Sequence, residues 1–137
     1  MIRQVEIILP AFSRGFHLIT DYIESAIEIK DIKAGILNIF IKHTSAALMI
    51  NENYDPSVRV DLENAYNHLI PENEPYYTHV LEGSDDMPAH IKTAITGTDI
   101  NIPVSNGKLN MGTWQGIYLC EFRNRGGRRK LVLTLIY

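Results

Sequence analysis

The sequence predicts an α+β fold, with a largely antiparallel or mixed β-sheet core and about three helices. Two observations predict it. Segments of strand and helix character are interspersed up to Gly97, and beyond that point only strand signals remain. Asn106-Gly107 and Gly126-Gly127 are tight-turn dipeptides, which join antiparallel strands, whereas parallel pairs need long crossovers. Strands gathered into such a run indicate α+β rather than a doubly wound sheet.

The elements follow in order. Gln4 to Leu9 reads as a strand ended by Pro10, with Ser13-Arg14-Gly15 as a turn and Phe16 to Ile19 as the second arm of a hairpin. Thr20 is a suitable N-cap, and Asp21 suits the positive end of a helix dipole. Tyr22, Ile23, Ala26 and Ile27 then recur at helical spacing, predicting a helix to about Ile29. Gly35 restarts the chain. Ile36 to Lys42 is a predicted buried strand, and Ala46 to Asn51 a second. Asp55-Pro56 starts another helix, whose apolar face is Val58, Leu62, Ala65, Tyr66 and Leu69 and which Pro71 stops.

Pro71 to Asp86 is long, polar and poor in structural signals, as functional loops often are. Pro88 opens a third helix, with Met87, Ile91, Ala94 and Ile95 as its expected apolar face and Gly97 as its C-terminal cap. Asp99 to Val104 is a strand that Pro103 places near an edge. Lys108 to Arg123 reads as one strand bent at Gly112 and Gly116, and Leu131 to Ile136 as the last.

Composition narrows the function. A chain of 137 residues is the size of one domain, here taken as residues 1–137. Its 45% hydrophobic and 21% charged residues are those of a globular protein. The single cysteine, Cys120, allows no intramolecular disulfide and fits a reducing, cytoplasmic setting. The N-terminal residues have no secretory pattern, and no apolar run approaches the ~18 residues of a membrane span. A net charge of −3 argues against nucleic acid as the partner. The expected partner is a small molecule, with no membrane or nucleic acid.

Five histidines are present. His43 ends a predicted buried strand, His79 lies in the long loop, and His90 follows Asp86 by four residues, on the same helical face. His17 and His68 are assigned to surface or helix-end roles. Neutral imidazoles with nearby carboxylates suit zinc or a similar divalent ion and leave a position open for substrate. His43, His79 and His90 are the candidate metal ligands, with a bland reading beside it: three unrelated polar residues. Asp85 and Asp86 suit a helix start as capping charges and can also serve chemistry. Glu52, in Asn51-Glu52-Asn53, adds a carboxylate whose simpler role is a turn. Arg123, Arg125, Arg128, Arg129 and Lys130 surround Gly126-Gly127 as a solvated hairpin tip or, alternatively, an anion pocket. Glu121 and Arg123 share a strand face and could pair. Trp114-Gln115 lies between Gly112 and Gly116, where backbone can approach a ligand or a neighbouring subunit.

His43-Thr44-Ser45-Ala46-Ala47-Leu48 with Asn51-Glu52 and Asp55-Pro56 resembles the first signature of the YjbQ family. Glu82-Gly83-Ser84-Asp85-Asp86-Met87-Pro88-Ala89-His90-Ile91-Lys92 resembles the second, and Gly112-Thr113-Trp114-Gln115-Gly116-Ile117 the third. The resemblance implies a compact α+β fold, a homotrimer and the family's label of secondary thiamine-phosphate synthase. That reaction joins a pyrimidine diphosphate to a thiazole phosphate and releases pyrophosphate. It makes His43, His79, Asp85, Asp86 and His90 the leading site residues, followed by Trp114, Gln115, Glu121 and Arg123. One departure is visible: the family commonly has Glu-His-Arg where this chain has Glu121-Phe122-Arg123.

The expected function is therefore an enzyme of a small phosphorylated metabolite. Its catalytic residues would be His43, Glu52, Asp85, Asp86 and His90, and its substrate-binding residues Trp114, Gln115, Glu121, Arg123 and Arg128. Zinc would be held by histidine. The rivals are a metal-dependent hydrolase of a related metabolite and a non-catalytic ligand-binding trimer.

Overall fold

In Lys130-Leu131-Val132-Leu133-Thr134-Leu135-Ile136, strand periodicity puts three leucines on one face, and all three are fully buried. The computed structural model describes residues 1–137 and builds its core from such faces. The first sheet has the order β1 (Ile2–Ile8), β8 (Lys130–Ile136), β3 (Ala34–Ile41), β5 (Asp99–Ser105) and β6 (Lys108–Leu109). The second has the order β2 (Gly15–Leu18), β7 (Gln115–Glu121), β4 (Ala46–Glu52). Every pairing in both is antiparallel.

The main core lies between the sheets, where Leu37, Ile39, Ile41, Leu131, Leu133 and Leu135 meet Ala46, Leu48, Ile117 and Leu119. A second, smaller core covers the other face of the three-stranded sheet. There Ala47, Tyr118, Cys120 and Phe122 meet Phe16 and Ala89, with Leu62 and Tyr66 packed against them. The helices complete the arrangement: α1 (Thr20–Ala26), α2 (Pro56–Leu69) and α3 (Asp86–Thr96), the last two packed on the three-stranded sheet. The α+β expectation holds, and no helix is long and apolar enough to cross a membrane.

Several local expectations are corrected. β1 and β2 are not a hairpin, because β1 pairs with β8 and β2 with β7. Gly126-Gly127 connects the two sheets rather than two neighbouring strands. The segment from Lys108 to Arg123 is two strands, β6 and β7, in different sheets. Each error has one cause: a two-layer sandwich lets consecutive strands change layers, which local periodicity does not report. Asn106-Gly107 does form the expected hairpin, with positive φ values of 50° and 78°.

Asp55 caps α2 as expected, accepting the Ser57 N–H at 2.9 Å. Thr20 does not cap α1; Ile19 holds that position, and the Thr20 hydroxyl accepts the Ile117 N–H at 3.0 Å. α3 is turned away from its expected face. It buries Asp86, Pro88, Ala89, Lys92 and Thr93, while Ile95 is 67% exposed. Of the inward polar residues, Asp86 and Lys92 find side-chain partners, and the Thr93 hydroxyl has none.

Candidate metal and substrate site

Asp86 opens α3 and His90 stands one turn later, so both project from one side of the helix. The loop before α3 brings His79 to the same point. The Asp86 Oδ2 atom lies 2.7 Å from His79 Nε2 and 3.0 Å from His90 Nε2. Asp86 is buried, whereas His79 and His90 are open to solvent on one side. The three ligand atoms lie within 4.8 Å of one another.

The tautomer of His90 follows from its other nitrogen. Nδ1 lies 2.8 Å from the Thr44 carbonyl oxygen, which can only accept, so Nδ1 carries the hydrogen. In a neutral ring Nε2 then presents a lone pair to the Asp86 carboxylate. Only a cation between them, a proton or a metal ion, makes that approach favourable. An imidazole whose second nitrogen donates to a backbone carbonyl is also the usual arrangement of a metal-bound histidine.

Arg123 holds the acidic pair. Its Nε donates to Asp85 Oδ2 at 2.9 Å, Nη1 donates to Asp86 Oδ1, and Nη2 donates to the Glu82 carbonyl at 2.8 Å. Asp85 also accepts the Asn124 N–H at 2.9 Å. Burial alone would raise both carboxyls. For Asp86 the His79 bond and the charges of His90 and Arg123 outweigh it, and for Asp85 the Asn124 and Arg123 bonds do. Both are held below the ordinary carboxylate range.

His43 stands beside this cluster and not in it. Its Nε2 accepts the Lys130 N–H at 2.8 Å, which uses the lone pair a metal would need. Burial, followed by the Arg129 charge, lowers its pKa and favours the neutral ring. In the cluster that could hold an ion, Asp86 stands where His43 was expected.

Glu121 and Arg129 form a buried ion pair below His43. Arg129 Nε and Nη2 meet the two carboxylate oxygens at 2.8 and 2.6 Å, and Nη2 also donates to Ser45 Oγ at 3.0 Å. The expected pairing of Glu121 with Arg123 is therefore replaced: each has a different partner, and only the Arg123 N–H reaches Glu121. A Cβ at Gly126 would come within 2.0 Å of the Glu121 carboxylate, so glycine is required there. Arg128, the expected anion binder, is exposed and donates Nε to the Leu9 carbonyl at 3.2 Å. Arg129 was legible: it shares the inward parity of Leu131, Leu133 and Leu135.

Glu52, Trp114 and Gln115 lie elsewhere in the chain. Glu52 pairs with Gln115 at one end of the three-stranded sheet, and Ala46 pairs with Glu121 at the other. Six residues of strand separate those ends, roughly 20 Å. The Glu52 carboxylate accepts the N–H groups of Tyr54 and Asp55 and so builds the turn into α2. Trp114 is 60% exposed and meets Tyr54 edge-on at 5.6 Å.

Phe122 is buried and stacks on Tyr66 at 5.8 Å. The buried Lys92 ammonium lies 5.8 Å from the Phe122 ring centroid and donates to Asn67 Oδ1 at 2.7 Å. The Cys120 thiol is buried and its pKa is pushed far up by desolvation, so it is no nucleophile.

Residues 6–137 match the family described as UPF0047 protein YjbQ-like. The UPF0047 protein YjbQ of Salmonella typhimurium is 47% identical over 123 residues, covering 89% of this chain and 88% of the relative. Its counterpart in Escherichia coli O157:H7 is 45% identical, covering 96% of each chain. Two crystal structures share the fold. A YbjQ-like protein of unknown function from Sulfolobus solfataricus P2 superposes with a TM-score of 0.86 at 26% identity, covering 98% of this chain and 96% of the other. An uncharacterized conserved yjbq/upf0047 protein from Clostridium acetobutylicum gives 0.83 at 36% identity, covering 96% and 99%.

Proposed function

This chain belongs to the UPF0047 YjbQ-like family, and from that premise we propose that it is an enzyme of a small phosphorylated metabolite. In this reading, His79, Asp86 and His90 hold a divalent ion, zinc by the chemistry of the donor set. The observation that carries it is the Nδ1–H of His90 held by Thr44, which in the neutral ring turns the Nε2 lone pair to Asp86 Oδ2 at 3.0 Å. Two imidazoles and one carboxylate leave a coordination position for substrate or water. Zinc bonds of about 2.0–2.1 Å need ligand atoms about 3.3 Å apart in a tetrahedron. The present separations of 2.7 and 3.0 Å would open by a few tenths of an ångström, which the exposed His79 loop can supply.

The ion would supply charge for the phosphate and for a departing pyrophosphate. Arg123 is already committed to Asp85, Asp86 and Glu82, so its role is to hold the carboxylates rather than to receive phosphate. The transfer reaction proposed from the resemblance is thiamine-phosphate synthesis, as a secondary activity. A homotrimer and a cytoplasmic setting belong to the same proposal. The uncovered face of the five-stranded sheet, with Ile2, Ile36 and Ile136 exposed side by side, is compatible with assembly.

Zinc-loaded protein incubated with the pyrimidine diphosphate and the thiazole phosphate should yield the joined product and pyrophosphate. The His90→Ala variant should not. Equal turnover by wild type and His90→Ala would overturn the reading. The open coordination position also favours a second reading, metal-activated hydrolysis. Cleavage of a single phosphate ester, with no joined product, would select it.

A further inference from the structure

Beside the triad is a depression of about 550 Å³ between the start of β4 and the C-terminal half of α3. Its wall is made by His43, Thr44, His90, Thr93, Gly97 and Thr98, and Ala94 contributes the one apolar side chain. No carboxylate, ammonium or guanidinium lines it. Thr93 follows Asp86 by seven residues and His90 by three, so α3 presents all three on neighbouring turns.

Thr93 is only 5% exposed, and its Oγ1 is buried without any hydrogen-bond partner. A threonine hydroxyl in a helix can bond the carbonyl one turn back, and this one does not. A buried hydroxyl left unpaired costs stability, so it is the kind of group that a ligand completes. His43 adds a second unused function. With Nε2 accepting from Lys130, a neutral ring keeps its hydrogen on Nδ1, where it is free to donate. Thr44 and Thr98 add hydroxyls that both donate and accept.

We propose that this depression is a subsite for an uncharged, hydroxyl-bearing part of the substrate, which makes the physiological metabolite a phosphate ester of a polyol or sugar. The proposal deepens the reading of the triad as a phosphate-binding metal centre and rests on it. Ligand hydroxyls match walls that both donate and accept. A flat aromatic body would instead leave the Thr93 hydroxyl and the His43 Nδ1–H without a partner. The phosphate would sit toward His79, Asp86 and His90, and the hydroxylated body against Thr93.

The test is calorimetric titration of the zinc-loaded chain with glycerol phosphate, phenyl phosphate and inorganic phosphate. Glycerol phosphate should bind about tenfold more tightly than either of the others. Thr93→Val should weaken glycerol phosphate about fivefold, the scale of one lost hydrogen bond, and leave inorganic phosphate unchanged. The same variant should raise the melting temperature of the unliganded protein by a few degrees, because it removes an unpaired polar atom without changing shape. A phenyl phosphate affinity equal to that of glycerol phosphate would overturn the proposal. So would a Thr93→Val variant that binds all three probes as wild type does. Zinc uptake without discrimination among the probes would reject the subsite and leave the metal centre standing. Discrimination that survives in a chain unable to take up zinc would support the subsite and count against the metal centre.

Discussion

His90 gives its Nδ1–H to the Thr44 carbonyl at 2.8 Å, and this one bond decides what its other nitrogen can do. In the neutral ring Nε2 is left as a lone pair 3.0 Å from Asp86 Oδ2, and in the charged ring it donates to that oxygen. The bond joins the loop between β3 and β4 to the second turn of α3.

Asp86→Asn keeps the shape and removes the charge. Zinc affinity should fall by at least about 100-fold, beyond the usual loss for a residue that only supports a ligand. Arg123 would also lose half of its counter-charge, costing about 1–3 kcal/mol in urea unfolding. An Asp86→Asn protein that binds zinc as wild type does would remove the carboxylate from the ligand set.

The Glu121–Arg129 pair is almost completely buried, so removing one partner strands the other. Glu121→Gln or Arg129→Met should each cost about 3–5 kcal/mol, whereas Arg128→Ala should change stability by no more than about 0.5 kcal/mol. Chemical denaturation of the three variants checks this. Equal effects at 128 and 129 would contradict the assignment. Gly126→Ala should destabilise as well, because its Cβ would overlap the Glu121 carboxylate.

The pH dependence of metal-free protein has a definite sign. Asp85 and Asp86 are depressed below their ordinary value of 3.8. Their stabilisation is present above that value and lost as pH falls through the lower, folded value. His43 is also lowered, from 6.5, so the folded state binds its proton less readily than the unfolded chain. Its contribution is present above 6.5 and lost as pH falls toward the folded value. Urea midpoints should therefore decline gently below 6.5 and steeply below 3.8, and His43→Gln should flatten the first decline. Midpoints that rise between pH 6.5 and 5 would contradict this.

Trp114 is roughly 20 Å from the histidines along β7 within one chain. Zinc loading should leave its fluorescence nearly unchanged, and Trp114→Phe should not alter zinc affinity. Strong quenching on loading would mean that a second copy carries its own Trp114 to the site.

Strand and helix periodicity made most elements legible, because each buries a face that repeats locally. Layer changes were not, since nothing near Gly126-Gly127 distinguishes a hairpin from a step between sheets. The second signature exposed His90 and Asp86 through their helical spacing. The orientation of α3 was not legible because Ile91, Ala94 and Ile95 form a local apolar stripe, while Asp86 and Lys92 are drawn inward by Arg123 and Asn67, partners distant in sequence. His43 looked equivalent to His79 and His90. Its commitment to Lys130 depends on β8, which arrives 87 residues later.

The most direct test is elemental analysis of purified and zinc-reloaded protein for wild type, His79→Ala, His90→Ala and His43→Ala. Wild type and His43→Ala should each hold one divalent ion per chain, and the other two none. No ion in reloaded wild type, or loss in His43→Ala with retention in His79→Ala, would contradict it.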